Sequence, residues 1–291
     1  MSLREVAVSA WSGPSGACDE TEAIESGNVL FCRDLRFEVA AAEALLFTPA
    51  ILGSAKNASF DPATGRLGGT SLTGKAGDDA ATALGGMMRR FSDAAAGLVN
   101  ALCPTYRGPI VRGRASFRPA EIAGRASSWR KDDTRLHVDS FPATPSGGKR
   151  ILRVFTNVNP EGRARTWRIG DEFESVARRF AASLRLPLPG AGHLLALLRV
   201  TKSPRTPYDA LMLQLHDRMK ADDEFQSSSP QSRVEFPSGS TWLTFTDQVS
   251  HAAMAGQYQL EQTFLVPVDA MLEPARAPLR ILERLKGRAL V

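Results

Sequence analysis

The chain has 291 residues, of which 43% are hydrophobic, 23% charged and 7% aromatic. These fractions are typical of a globular protein and exclude a disordered chain, a collagen and a long coiled coil. No apolar run approaches the roughly 20 residues of a membrane-spanning helix. The first residues lack the pattern of a secretory signal, so we expect a cytoplasmic protein. Three cysteines without a Cys-x-x-Cys pair argue against a disulfide framework or a thiolate zinc site.

The net charge of +5 is concentrated in one segment of the chain. Residues 107–168 contain 14 Lys/Arg and 5 Asp/Glu, a balance of +9, which leaves −4 for the remaining residues. Clustered cations attract phosphates and carboxylates, so an acidic small molecule, an anionic membrane surface or a nucleic acid would suit this segment. A solvated arginine-rich face of no specific function has the same composition. Charge alone leaves these alternatives open.

The first half of the chain predicts supporting elements. Residues 1–30 have the pattern of strand or coil, with a turn at Gly13-Pro14-Ser15-Gly16. An alanine-rich amphipathic helix is predicted from Val39 to Leu46, and the glycines of residues 53–79 predict turns. The clearest helix is predicted from Asp78 or Asp79 to about Leu102, because apolar residues recur there at helical spacing.

The second half predicts short strands with helices between them. Helices are expected at residues 172–184 and 208–220, and strands at residues 150–158, 233–236, 241–246 and 260–267. Short strands broken by Gly/Pro turns are typical of a jelly roll. We therefore predict a mainly β fold with supporting helices, a double-stranded β-helix (jelly roll, cupin-like). Because the sequence shows no linker, we predict that residues 1–291 form one domain. Helices and strands of residues 1–110 or so would support a core β-helix over about 111–291.

Histidine placement indicates a metal site. His137 and Asp139 form a His-x-Asp pair, and on a strand two residues at this spacing point to the same face. An imidazole beside a carboxylate supplies two thirds of the facial triad that binds non-haem Fe(II). His251, beyond the strand-turn-strand of residues 237–246, is the expected third ligand. The alternative is an ordinary strand ion pair with an unrelated loop histidine. His193 is interpreted as a strand-edge residue and His216 as a solvated or capping residue.

Two segments of the sequence resemble the bacterial Kdo hydroxylase family: Trp129-Arg-Lys-Asp-Asp-Thr-Arg-Leu-His-Val-Asp-Ser-Phe-Pro and Gly148-Lys-Arg-Ile-Leu-Arg-Val-Phe-Thr-Asn-Val-Asn-Pro. The similarity is strongest over residues 118–159 and 239–267. Kdo is 3-deoxy-D-manno-oct-2-ulosonic acid, the acidic sugar that links lipid A to the rest of lipopolysaccharide. The resemblance implies an Fe(II)- and 2-oxoglutarate-dependent dioxygenase that uses O2 to hydroxylate Kdo at C3, in the lipid A/inner-core region.

The resemblance also implies roles for individual residues. His137, Asp139 and His251 would hold Fe(II). The strand after His251 has no arginine, so Arg153, fourteen residues after Asp139, is expected to bind the distal carboxylate of 2-oxoglutarate through a bidentate pair. The alternative anchors are Arg165 and Arg118, which belong to the same basic segment, as do the weaker candidates Lys131 and Arg168.

The expected partners follow from the same chemistry. A Kdo-containing lipid A glycolipid would be reached by peripheral contact with anionic lipid at the cytoplasmic face of the inner membrane. Two alternatives remain: an oxygenase acting on another acidic small molecule or a protein side chain, and a non-enzymatic binder of an anionic surface or nucleic acid. Sparse aromatics and the absence of a nucleic-acid motif disfavour nucleic acid as a partner.

Overall fold

A computed structural model describes residues 2–13, 19–125 and 127–291. All but the first residue of the turn predicted at residues 13–16 lies outside this description, as does Cys18. In the described residues the strands are β1 (Leu3–Glu5), β2 (Val29–Cys32), β3 (Ala58–Phe60), β4 (Leu67–Gly68), β5 (Val111–Arg118), β6 (Arg150–Asn157), β7 (Arg165–Ile169), β8 (Ser232–Phe236), β9 (Thr241–Phe245), β10 (His251–Ala255) and β11 (Gln259–Val266).

The strands form two sheets. The larger sheet has the order β1-β2-β9-β6-β11-β5-β3-β4 and is antiparallel except for the β1–β2 pair. The smaller sheet has the order β10-β7-β8 and is antiparallel throughout. The second half of the chain crosses repeatedly between the sheets, since β6, β9 and β11 belong to the large sheet and β7, β8 and β10 to the small one, as in a jelly roll. The predicted fold class is confirmed.

Helices cover the outer faces of both sheets. The α-helices are α1 (Thr21–Glu25), α2 (Gly74–Leu102), α3 (Phe173–Phe180), α4 (Ala191–Leu197), α5 (Pro207–Ala221), α6 (Asp223–Ser228) and α7 (Pro278–Lys286). Short 3₁₀ helices lie at Ala41–Leu46, Pro49–Ile51, Pro104–Tyr106, Trp129–Lys131, Ala181–Ser183, Val268–Ala270 and Pro274–Arg276. None of the helices in the described residues is long and apolar enough to span a bilayer.

Three apolar clusters bind these layers together. The largest lies between α2 and the large sheet and includes Phe91 and Leu243. A second lies between the two sheets, where Phe236 stacks on Trp242 with ring centroids 4.0 Å apart. The third packs helices α3, α5, α6 and α7 against the small sheet, around Ala252. Because side chains alternate along a strand, β2, β6 and β9 each contribute one face to the helix-side cluster and the other to the cluster between the sheets.

The structure corrects several predicted elements. Helix α2 begins at Gly74, earlier than expected, and the segment predicted as a helix from Val39 is a 3₁₀ helix. A short helix, α1, lies in residues 1–30, where only strand or coil was expected. The N-terminal strands also join the large sheet, since β2 pairs with β9. This pairing supports the one-domain prediction, which stays a prediction.

Candidate metal centre and cosubstrate cavity

His137, Asp139 and His251 meet at the edge of the small sheet. His137 and His251 form an isolated antiparallel bridge, in which each backbone N–H donates to the other residue's carbonyl at 3.0 and 2.9 Å. The Asp139 N–H donates to the carbonyl of Thr246 at 2.7 Å. The sequence predicted a regular strand for the His-x-Asp segment. The structure shows instead a single bridge, which extends the small sheet beside β10. The expected common orientation of the two side chains is preserved.

The ligand atoms of these residues converge. One potential ligand atom of each lies within 4.8 Å of the other two, and His137 Nε2 is 3.7 Å from Asp139 Oδ1. Each imidazole donates from Nδ1 to a backbone carbonyl at 2.8 Å, that of Arg135 for His137 and that of Val249 for His251. A carbonyl only accepts, so Nδ1 carries the proton and the Nε2 lone pair is available to a metal.

Aromatic rings fix the two imidazoles. The indole of Trp167 stacks on the His251 ring, with centroids 5.1 Å apart and planes at 24°. His216, on α5, packs edge-on against the His137 ring at 5.3 Å and contacts Asp217 at 3.0 Å. The interpretation of His216 as a solvated or capping residue is wrong, because its half-buried ring supports His137. His193 lies on α4, not on a strand edge.

The electrostatics keep the three groups in their metal-binding forms. Burial lowers the pKa of both His137 and His251, which favours neutral imidazoles. Burial alone would raise the pKa of Asp139. The adjacent Arg153 charge, acting together with His251, His137 and a hydrogen bond from Thr246, outweighs that effect and holds the pKa of Asp139 below its usual range. Two neutral imidazoles and one carboxylate are the donor set of the non-haem Fe(II) facial triad.

A cavity of about 220 Å³ opens between the sheets at this point. Its lining contains as many arginines as carboxylates, together with the two histidines and aromatic side chains: Arg118, Arg153, Arg165, Asp133, Asp139, Glu261, His137, His251, Phe141, Phe155 and Trp167. The three candidate anchors of the cosubstrate therefore face one space with the candidate metal ligands. Lys131 is exposed, and Arg168 donates to Thr134 and Gln231.

The three arginines differ in their partners. Arg153 pairs with both Asp139 and Glu261, at 3.2 and 3.0 Å, and Arg118 pairs with Glu261 at 3.0 Å. Arg165 donates instead to the carbonyl of Gly256 at 2.6 Å, and no carboxylate of the described residues forms an ion pair with it. Burial and Arg118 lower the pKa of Arg165 to about 9, so it stays protonated at neutral pH. Arg165 is thus a buried cation that has no ion-pair partner among the described residues.

Several buried polar atoms of the cavity have no hydrogen-bond partner. Among the described residues these include the Nε atoms of Arg153 and Arg165, Nε1 of Trp167 and Oε1 of Gln259. Native proteins rarely leave such atoms unpaired, so their convergence on one cavity indicates a missing ligand. Asp139 Oδ2 is a fifth such atom. The three donors, on Arg153, Arg165 and Trp167, fit an oxygen-rich anion, and the Asp139 oxygen fits a metal ion. Sequence reasoning missed Gln259 and Trp167 as cavity residues, although the two-residue spacing from Arg165 places Trp167 on the same strand face.

A model of the family described as 3-deoxy-D-manno-oct-2-ulosonic acid (Kdo) hydroxylase matches residues 11–289. The chain belongs to the Kdo hydroxylase family. It is similar to crystal structures of the Kdo hydroxylase KdoO, a non-heme Fe(II) alphaketoglutarate (2-oxoglutarate) dependent dioxygenase. The complex with alphaketoglutarate and Fe(III) is 42% identical with a TM-score of 0.94, covering 100% of this chain and 98% of that chain. A comparison with curated proteins finds no match.

Two further structures of KdoO match equally well. The complex with cobalt(II) is 43% identical, with a TM-score of 0.94 over 99% of this chain and 97% of that chain. The apo structure is 43% identical, with the same TM-score over 100% of this chain and 98% of that chain. The predictions of family and enzyme class, and of iron, 2-oxoglutarate and O2 as cofactors, are confirmed at the level of the family. The roles of individual residues stay predictions.

Proposed function

We propose that this protein hydroxylates Kdo at C3, within the lipid A/inner-core region of lipopolysaccharide, in a reaction that depends on Fe(II) and 2-oxoglutarate. The family membership of the chain and one structural observation support this proposal. The three converging metal donors share a 220 Å³ cavity with an unpaired, buried arginine. A metal and a dicarboxylate together would satisfy the groups that the chain leaves without partners.

The metal would be held by His137, Asp139 and His251. Iron bound there together with 2-oxoglutarate supplies the activation of O2, and the protein supplies placement and electrostatics. The carbonyls of Arg135 and Val249 fix the imidazole tautomers. Arg153 keeps Asp139 ionised, so that no proton has to leave before a metal binds.

The distal carboxylate of 2-oxoglutarate would be anchored by Arg165. The sequence favoured Arg153, but that guanidinium already contacts Asp139 and Glu261, and Arg118 also pairs with Glu261. Arg165 is buried and its Nε is unpaired. A carboxylate gains more from an unpaired buried guanidinium than from one shared between two carboxylates, because a charge-assisted pair forms without displacing another.

Charge neutrality supports the same ligand pair. The cavity lining carries three arginines and three carboxylates, and its two histidines are neutral. Fe(II) adds two positive charges and 2-oxoglutarate two negative ones, so the filled cavity keeps its balance. In a low-dielectric site such matching avoids the free-energy cost of an uncompensated charge.

The acidic sugar would bind beside Asp133, where cations surround the cavity. Arg125 and Lys56 contact Asp133 at 2.8 and 3.3 Å. Burial alone would raise the pKa of Asp133, but Arg118 and Lys56 lower it to about 2. These side chains form a positively charged rim on which the carboxylate of Kdo could exchange for that of Asp133.

Two measurements test the proposed function. Purified, iron-loaded protein should convert 2-oxoglutarate to succinate faster when a Kdo-lipid A glycolipid is added, and His137→Ala should abolish this stimulation. Mass spectrometry of lipopolysaccharide from cells with and without the gene should find one additional oxygen atom on Kdo, at C3 after fragmentation. Succinate formation without a modified Kdo would indicate another acidic substrate, and a protein that lacks turnover altogether would refute the proposal.

The glycolipid substrate also implies a location. A peripheral association with the cytoplasmic face of the inner membrane would bring the cavity to a Kdo headgroup. Attraction between exposed cations and anionic lipid, which weakens as salt rises, would support this association.

A further inference from the structure

A leucine-rich segment projects from the fold between α3 and α5. Residues 186–200, here named the leucine-rich protrusion, contain helix α4 and its flanks. Leu188 and Leu197 are 81% and 79% exposed, and half of the exposed large apolar side chains in the described residues belong to this segment: Leu186, Leu188, Leu194, Leu197, Leu198 and Val200. Soluble surfaces rarely gather apolar side chains this densely, and such a patch indicates an interaction site.

The backbone of the protrusion explains why its leucines face outward. Gly190 precedes α4 with φ +77°, a left-handed conformation that favours glycine. A Cβ on Gly192 would lie 2.0 Å from the carbonyl oxygen of Arg205, so the helix backbone itself rests on the chain before α5. Leu194 and Leu197 lie beyond this contact and remain exposed.

The sequence that contains the protrusion carries charges of one sign. Residues 175–208 contain six Lys/Arg and no Asp/Glu. Arg185, Arg199 and Lys202 flank the leucines and are exposed, and none of them forms an ion pair with the described residues. Apolar side chains surrounded by unpaired cations complement a bilayer with anionic headgroups, because the leucines enter the acyl boundary while the cations meet phosphates.

The protrusion is joined to the rim of the cavity. The N–H of Lys202 donates to the carbonyl of Ala143 at 2.9 Å, and the Arg205 guanidinium donates to that of Pro142 at 2.7 Å. Phe141, the preceding residue, lines the cavity, two positions after Asp139. A surface that engages lipid at the protrusion therefore lies beside the rim of the proposed active site.

We propose that the leucine-rich protrusion is a membrane-docking element, which inserts leucines into an anionic bilayer and holds the cavity at the level of the lipid headgroups. The proposal deepens the proposed function, since it rests on a glycolipid substrate. A membrane is favoured over a second copy of the chain by the three flanking cations without ion pairs, which would repel the same cations of a symmetry mate.

Vesicle binding tests the protrusion directly. The full chain is sedimented with vesicles of phosphatidylethanolamine and phosphatidylglycerol, and with vesicles of phosphatidylcholine alone. The double variant Leu194→Glu/Leu197→Glu should bind the anionic vesicles at least tenfold more weakly than the wild type. Leu45→Glu, which changes a similarly exposed leucine on another part of the surface, is the matched control and should bind like the wild type.

A second variant tests the cations separately. Arg185→Gln/Arg199→Gln/Lys202→Gln should weaken binding to anionic vesicles and flatten its salt dependence, while weak binding to phosphatidylcholine is unchanged. Unaltered vesicle binding by the leucine variant would overturn the proposal. If the leucine variant instead loses self-association, measured by analytical ultracentrifugation, and keeps its vesicle binding, the protrusion contacts a second copy of the chain and the membrane proposal is wrong.

Activity on two substrates separates this proposal from the proposed function. On a water-soluble, deacylated Kdo oligosaccharide, the leucine variant should match the wild type. On Kdo-lipid A in vesicles its KM should rise about tenfold with kcat retained. Leucine-dependent vesicle binding by a protein that hydroxylates neither substrate would support the docking element and refute the proposed function. Equal loss of activity on both substrates would instead mean damage to the fold and would count against the docking element.

Discussion

At the scale of single residues, two backbone carbonyls determine the chemistry of the candidate metal site. Each accepts from the Nδ1 of the histidine two positions later, Arg135 from His137 and Val249 from His251. Because this contact is local, each histidine is presented in its metal-binding tautomer by its own segment. The backbone bridge between His137 and His251 then brings together two imidazoles whose tautomers are already set. Because the tautomer is set locally, the irregular segment around His137 can present a candidate metal ligand without being a regular strand.

Arg165 should control the affinity for 2-oxoglutarate. Loss of one member of a buried charge pair costs about 2 to 5 kcal/mol, so Arg165→Ala should weaken 2-oxoglutarate binding by about thirtyfold to a few thousandfold. Arg165→Lys should restore part of this affinity, because it keeps the charge but loses the bidentate geometry. Calorimetry on the cobalt(II)-loaded protein measures both effects, and the affinity for cobalt(II) should remain unchanged.

The matched control is Arg153→Ala. This guanidinium touches Asp139, so its removal should alter the affinity for cobalt(II) more than that for 2-oxoglutarate. The opposite pattern, with 2-oxoglutarate weakened by Arg153→Ala and unaffected by Arg165→Ala, would return the anchoring role to the residue that the sequence favoured.

His137 and His251, the two histidines of the candidate metal site, should make the metal-free protein sensitive to acid. Burial places their pKa values below the ordinary 6.5, so the unfolded chain binds more protons than the folded one just below that pH. The free energy of unfolding should therefore fall as pH drops below about 6.5, with at most about 1.4 kcal/mol per pH unit from each histidine. The lowered pKa of Asp139 adds a loss only near and below its usual 3.8.

Urea unfolding at pH 7.5, 6.5 and 5.5, in the presence of a chelator, measures this dependence. His137→Gln/His251→Gln removes both titrating groups and should flatten the pH dependence. A wild-type protein as stable at pH 5.5 as at pH 7.5 would show that the two imidazoles are not held neutral by burial.

At the scale of elements, the sequence predicted the strands better than the side-chain contacts between them. The β-branched run of β6 was recognisable, and its alternation places Arg153 on the inner face. The two carboxylates that already occupy Arg153 come from elsewhere in the chain, Asp139 from the bridge and Glu261 from β11. Register across strands is set by the folded sheet, so no local pattern could have revealed these contacts.

Strand β7 shows why Arg165 ranked below Arg153. Its sequence, Arg165-Thr-Trp-Arg-Ile169, carries two arginines in five residues, which resembles a surface segment. In the structure Arg165, Trp167 and Ile169 share one buried face and Arg168 lies on the other. A buried charge breaks the hydrophobic alternation by which a strand is recognised, and such exceptions are expected at functional sites.

Helix α4 was missed because it is an apolar segment that lies on the surface. Its residues are apolar except for His193, and a short apolar run does not distinguish helix from strand. His193 was therefore interpreted as a strand-edge residue. The close approach of Gly192 to the backbone of Arg205 is a contact between separate segments, and no local sequence pattern reveals it.

At the scale of the whole molecule, the basic segment is divided by the fold. Arg150 and Arg153 lie three positions apart on β6 and so face opposite sides of the large sheet. Arg150 is fully buried and pairs with Asp247 at 2.8 Å, whereas Arg153 enters the cavity. The balance of +9 in residues 107–168 is therefore spread over buried pairs, the cavity and the surface. The unpaired cations beside the leucine-rich protrusion come from a different part of the chain.

Metal and cosubstrate should stabilise the molecule in a fixed order. The cavity is balanced before it is filled, so 2-oxoglutarate alone would add two negative charges without compensation. Cobalt(II) at about 100 times its Kd should stabilise the fold by about 2.7 kcal/mol, which raises Tm on the order of 5 °C. Subsequent 2-oxoglutarate should raise it further, and a chelator should reverse both shifts.

The two-step order is the property that distinguishes a metal-dependent site from a simple anion pocket. His137→Ala should remove the cobalt(II) shift and, with it, the response to 2-oxoglutarate, because the metal supplies the charge that the cosubstrate neutralises. Arg165→Ala should keep the cobalt(II) shift and lose only the second step. Equal stabilisation by 2-oxoglutarate in the presence of a chelator would show that the arginines alone bind it, and the proposed coupling between metal and cosubstrate would then be wrong.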